Sequence, residues 1–70
     1  MITLAQIQEK LSEAIEKSGK TQKEIAKRIG VSRSQISCYL HNKKMPALDT
    51  FANLCKVLDV SADDILCIDD

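Results

Sequence analysis

Aromatic residues are almost missing from this chain: one Tyr, one Phe and no Trp among 70 residues. Aliphatic side chains must therefore fill its core. Long apolar runs are missing too. The longest, Ile65 to Ile68, is far too short for a membrane span or a signal peptide. The three cysteines, Cys38, Cys55 and Cys67, form no C-x-x-C pair. An odd cysteine count without a secretory segment points to a reducing cytoplasm. No strand alternation, internal repeat, linker or low-complexity stretch interrupts the chain. Enzyme signatures are absent: there is no G-x-x-x-x-G-K-[ST], no H-E-x-x-H, and no Ser–His–Asp set on a scaffold large enough for a cleft. The acids Asp63, Asp64, Asp69 and Asp70 lack the loop pattern of a calcium site. Helix capping and surface solubility account for them. No cofactor or metal is expected.

What is present is helical periodicity. Residues 1–70 read as one small domain. A chain this short buries only ~60% of its unfolded surface, so its core is thin. The most informative stretch is Gln22 to His41, QKEIAKRIGVSRSQISCYLH. Apolar or small residues fall at Ile25, Ala26, Ile29, Val31, Ile36 and Tyr39, with Gly30 between them. Two short amphipathic helices joined by a tight turn need that pattern. A small residue at Ala26 lets the helices approach, and Gly30 lets the backbone reverse. The second helix of such a pair can lie in the major groove of DNA.

Five helices are predicted, packed as one all-α bundle. The first runs from about Leu4 to Ser18, capped by Thr3, with Leu4, Ile7, Leu11, Ala14 and Ile15 on its apolar face and Gly19 after it. Thr21 opens the second, about 22–29, and forms a T-x-x-E capping box with Glu24. Ser32 caps the third, about 33–41, and Asn42 suits a left-handed position after it. Lys43, Lys44, Met45 and Pro46 make a basic loop. The fourth covers about Leu48 to Leu58, with Leu48, Phe51, Leu54, Cys55 and Leu58 on one stripe. Ser61 and Asp64 give another capping pattern, opening a fifth over Ala62 to Leu66.

A net charge of zero hides an asymmetry. Lys17 to Lys44 holds eight basic residues and one acid, a charge of +7, so the remainder carries −7. The positive block coincides with the helix pair, where phosphate contacts would be made. The acidic ends should face away from a nucleic acid.

The order of elements resembles the phage repressor and Cro-like helix-turn-helix family, the XRE family. T-Q-K-E-I-A in the second helix, G-V-S-R-S-Q-I-S across the turn, and the basic loop ending in Pro46 carry the resemblance. It covers nearly the whole chain and implies a lambda-repressor-like five-helix fold that binds operator DNA, usually as a symmetric dimer. It implies base contacts from Arg33, Ser34, Ser37 and Cys38. Phosphate contacts are implied for Thr21, Gln22, His41, Lys43 and Lys44. Two positions depart from the family pattern. Many members pair an Arg on the first helix with a Glu on the third, where this chain has Ile15 and Leu40. Asn42 stands where the family usually has Gly.

Residue chemistry adds detail. The Arg33 guanidinium can donate two hydrogen bonds to guanine, contact a phosphate, or remain solvated. Ser34 and Ser37 can bond to base, phosphate or water. Gln35 reads adenine only if it points into the groove. Cys38 is either a contact for a thymine methyl or a partly buried filler. Cys38 and His41 share a helix face, but two ligands do not make a zinc site. Lys43 and Lys44 are stronger phosphate candidates than Lys23, Lys27 and Arg28. The expected function is a sequence-specific transcriptional regulator, a repressor acting by operator occupancy as a dimer. Its partner would be double-stranded DNA with an inverted repeat. The alternative is an antitoxin or accessory module of a mobile element that grips a protein partner. Ile65, Leu66 and Ile68 either complete the core or form the dimer surface.

Overall fold

Thr3 accepts a hydrogen bond from the Gln6 N–H at 3.3 Å, and the Gln6 side chain accepts one from the Thr3 N–H at 2.9 Å. This capping box starts α1, Leu4–Lys17. In the computed structural model, which describes residues 1–68, four more helices follow: α2 Gln22–Ile29, α3 Arg33–Leu40, α4 Leu48–Leu58 and α5 Ala62–Leu66. No strand occurs among the described residues. Asp69 and Asp70 lie outside them.

The helices enclose one mainly aliphatic core, which also takes in the chain's single Tyr and single Phe. Leu11 and Ile15 of α1, Ile25 and Ala26 of α2, and Ile36 and Tyr39 of α3 meet Phe51, Leu54, Cys55 and Leu58 of α4 and Ile65 of α5. No polar or charged residue is buried among the described residues. Burial raises the Cys55 thiol pKa, because a thiolate there would lose its hydration. Ile15 is buried and Leu40 packs against the same core, so the apolar pair stands where the family's ion pair would be. The polar link between α1 and α3 is a different one. The Ser12 hydroxyl donates to the Leu40 carbonyl at 2.6 Å and satisfies an orphan acceptor at the end of α3.

Four helices end in the same way. Gly30, Asn42, Asp59 and Cys67 all have left-handed backbone. Behind each, an N–H closes on a carbonyl five residues back: Val31 to Ala26, Lys43 to Cys38, Val60 to Cys55 and Ile68 to Asp63. This is the Schellman arrangement. At Gly30 a Cβ would meet nothing within 4 Å, so the φ of +76° is what favours glycine there.

Several sequence expectations need correction. Leu48 is 86% exposed and not part of the α4 stripe. It sits at the margin of that stripe, where the neighbouring elements do not cover it, while Phe51 three residues on is buried. The Thr21 box is half formed. Thr21 accepts from the Glu24 N–H at 3.1 Å, while the Glu24 carboxylate pairs with Arg28 at 3.2 Å. Ser61 makes no side-chain cap at α5. Of the three apolar residues near the C-terminus, Ile65 is core and Leu66 packs against it, leaving Ile68 exposed.

Candidate nucleic-acid interface

The turn between α2 and α3 decides how the site is assembled. Ala26 is buried where α2 meets α3, and its carbonyl takes both the Gly30 N–H at 2.9 Å and the Val31 N–H at 3.0 Å. The chain reverses within three residues, and Ser32 then caps α3. Its hydroxyl accepts from the Gln35 N–H at 3.2 Å, while the Gln35 side chain accepts from the Ser32 N–H at 3.3 Å. Gln35 is therefore committed to the helix start and does not point into a groove. The S-x-x-Q spacing signals this box by the same rule that singles out Thr21.

The two helix starts meet at one place. Thr21, Gln22, Lys23 and Arg33 line an open groove of about 410 Å³. Its charged residues are both cations. The first N–H groups of α2, with the positive end of the helix dipole, suit an anion such as a phosphate. Lys23 belongs to this groove, although sequence reasoning ranked it behind the basic loop. Its place in the first turn of α2, beside Gln22, is legible in the sequence, whereas the approach of Arg33 is a tertiary event.

Along α3, Ile36 and Tyr39 are buried. At 100° per residue, Ser34, Ser37, Cys38 and His41 share the opposite face within about 100° of arc. Arg33 and Ser34 are exposed, whereas Ser37 and Cys38 are half-buried. Ser37 and His41 are joined. The imidazole Nδ1 lies 2.9 Å from the Ser37 carbonyl and 3.3 Å from its hydroxyl. A carbonyl only accepts, so Nδ1 carries the proton in that bond. Nε2 is then an acceptor in the neutral ring and a donor only in the imidazolium.

After α3, the left-handed Asn42 (φ +59°) turns the chain so that the Lys43 N–H meets the Cys38 carbonyl at 2.9 Å. This fixes the start of the basic loop against the end of α3. Lys43 and Lys44 are exposed there. Chemically, the surface offers one bidentate donor, small polar side chains on an open helix face, and cations at both ends of that helix.

A groove between α1 and α5 has a different character. It is lined by Lys10, Glu13, Lys17 and Asp64 together with Ala14, Val60 and Ile65. Lys17 donates to Glu13 at 2.7 Å, which lowers the Glu13 pKa and raises that of Lys17. The charges there are mixed. No group of three or more His, Cys, Asp or Glu that could hold a metal occurs among the described residues. No helix among the described residues is long and apolar enough to cross a membrane.

Comparison with known proteins agrees with this geometry. The helix-turn-helix family model matches residues 11–65, from the middle of α1 into α5. No curated protein and no solved structure matches the chain. The matched span contains the turn, both of its helices and most of the core, and the chain belongs to the Cro/repressor-like (XRE) helix-turn-helix family of DNA-binding transcription regulators.

Proposed function

We propose that the chain is a repressor that acts by occupying an operator as a symmetric dimer in the cytoplasm. The observation that carries this reading is the groove shared by the starts of α2 and α3, with Thr21, Gln22 and Arg33 on it. In this reading Thr21 and Gln22 hold a phosphate, with the α2 amides beside them. Arg33 and Ser34 meet base edges, and Ser37 and Cys38 extend the reading surface along α3. His41, Lys43 and Lys44 follow the backbone beyond it.

One copy of the protein measures 33 × 22 × 21 Å, about one turn of duplex in its longest dimension. A second copy is needed to reach a half-site ~34 Å away. A dimer on an inverted repeat thus doubles a small set of base contacts. With no enzymatic step required, the bound dimer represses by excluding polymerase.

Two substitutions test the assignment on the operator and on a scrambled duplex. Arg33→Ala should reduce operator affinity by about 1–3 kcal/mol and relax the sequence preference. Lys43→Ala should weaken both duplexes about equally and flatten the salt dependence by about one unit of slope. Equal losses on both duplexes for Arg33→Ala would remove it from the base-reading role.

A specific observation favours one second reading. Met1, Ile2, Leu4 and Ile68 are exposed large apolar residues. An antitoxin or accessory module of a mobile element would use such residues to grip a protein partner. A stoichiometric complex with a neighbouring gene's product, without a preference for any DNA, would support that role over repression.

A further inference from the structure

The two exposed flanks of α2 are electrostatically unlike. Ile25 and Ala26 are buried, and at 100° per residue Lys23 and Lys27 fall on the Ala26 side. Glu24 and Arg28 fall on the Ile25 side. Neighbouring helices confirm the two directions. Lys23 shares a groove with Arg33 of α3, whereas Arg28 shares one with Asn53 and Lys56 of α4. The α4-facing flank is neutralised from within by the Arg28–Glu24 pair at 3.2 Å. Lys23 and Lys27 are exposed, and neither forms an ion pair among the described residues.

Lys27 lies in the last turn, where the dipole favours a cation, but two features of the lysine pair are unfavourable in the free protein. Like charges four residues apart on a helix repel. Lys23 also sits in the first turn, against the positive end of the dipole. An anion lying along that flank would relieve both effects. The flank is continuous with the DNA-binding groove, and about 6 Å of helix rise separates the two lysines. Two long, flexible ammonium side chains one turn apart on the same flank can each reach a backbone phosphate of one strand.

We propose that Lys23 and Lys27 form a second backbone contact that extends the DNA footprint along α2, past the phosphate at Thr21 and Gln22. The inference rests on the DNA interface assigned above and concerns the α2 flank alone. It enlarges the share of the binding energy that α2 already contributes through Gln22 and its first amides. The contact is blind to sequence, because ammonium groups on phosphates carry no base information.

The test is equilibrium binding of the whole chain to a random-sequence duplex of about three helical turns, across a series of potassium chloride concentrations. The variants are Lys23→Gln/Lys27→Gln, its charge-preserving counterpart Lys23→Arg/Lys27→Arg, and Glu24→Gln/Arg28→Gln on the other flank. Each neutralised phosphate contributes about 0.9 to the slope of log affinity against log salt. The glutamine double variant should therefore flatten the slope by between about one and two units. The arginine variant and the α4-facing variant should keep the wild-type slope. A glutamine variant that melts like wild type and keeps its slope would overturn the contact while leaving the main interface standing. The lysine flank would then be open to an acidic protein. Wild-type protein that binds no duplex at all would overturn the interface and this contact together.

Discussion

The first three helices and the last two begin differently. Thr3, Thr21 and Ser32 each place a hydroxyl on the N–H three residues ahead. Ala47 precedes α4 and Ser61 precedes α5, and neither makes a side-chain cap. The starts of α1, α2 and α3 are thus fixed by local caps in addition to burial, whereas α4 and α5 rely on burial without a side-chain cap. Phe51, Leu54, Cys55, Leu58 and Ile65 hold α4 and α5 against the core. The functional consequence follows from position. In the proposed reading the capped starts of α2 and α3 are the ends that would approach DNA, where exposed helix termini need defined geometry.

The largest test of this contrast is Leu54→Ala. Leu54 is fully buried in the helix that lacks a cap. Its truncation should cost about 2–5 kcal/mol in urea unfolding, a large share of a small domain's stability. A loss below about 1 kcal/mol would mean that burial does not hold α4. A smaller effect is expected at Ser32→Ala, which removes the α3 capping hydroxyl and should cost about 1 kcal/mol. The smallest is Ser61→Ala, which removes no cap bond and should stay within about 0.5 kcal/mol of wild type in the same assay. If Ser61→Ala matched Ser32→Ala, the two halves would not differ as described.

Much of this was legible in the residues. The bounds of α2 follow from Thr21 and Gly30 and those of α4 from apolar periodicity, Asn42 marks the turn after α3, and α5 lies where the Ser61–Asp64 pattern put it although Ser61 makes no side-chain cap. The misreadings have physical causes. Periodicity tells which residues share a helix face but not how far the neighbouring elements cover it, so Leu48 looked like core. Capping spacing tells which bonds are possible but not which partner wins, so Glu24 was expected on the Thr21 backbone and instead pairs with Arg28. The Ser32–Gln35 box was readable by the capping rule and removes Gln35 from the groove. Cys67 adopts a left-handed turn that its residue type does not announce, whereas Asp59 is of a type that tolerates one. The Ser12–Leu40 link and the placement of Lys23 beside Arg33 depend on how helices dock, which no local pattern encodes. The base-reading and backbone roles proposed for the candidate site come from the sequence, and the docking of the helices adds Lys23 beside Arg33.

Sequence-specific binding to DNA is the claim on which the rest depends. The most direct test uses the reduced, purified protein with a duplex from upstream of its own gene and a scrambled duplex, at several salt concentrations. The account predicts a clear preference for the native duplex, with binding to both weakening as salt rises. Equal binding to both duplexes, unaffected by salt, would contradict it.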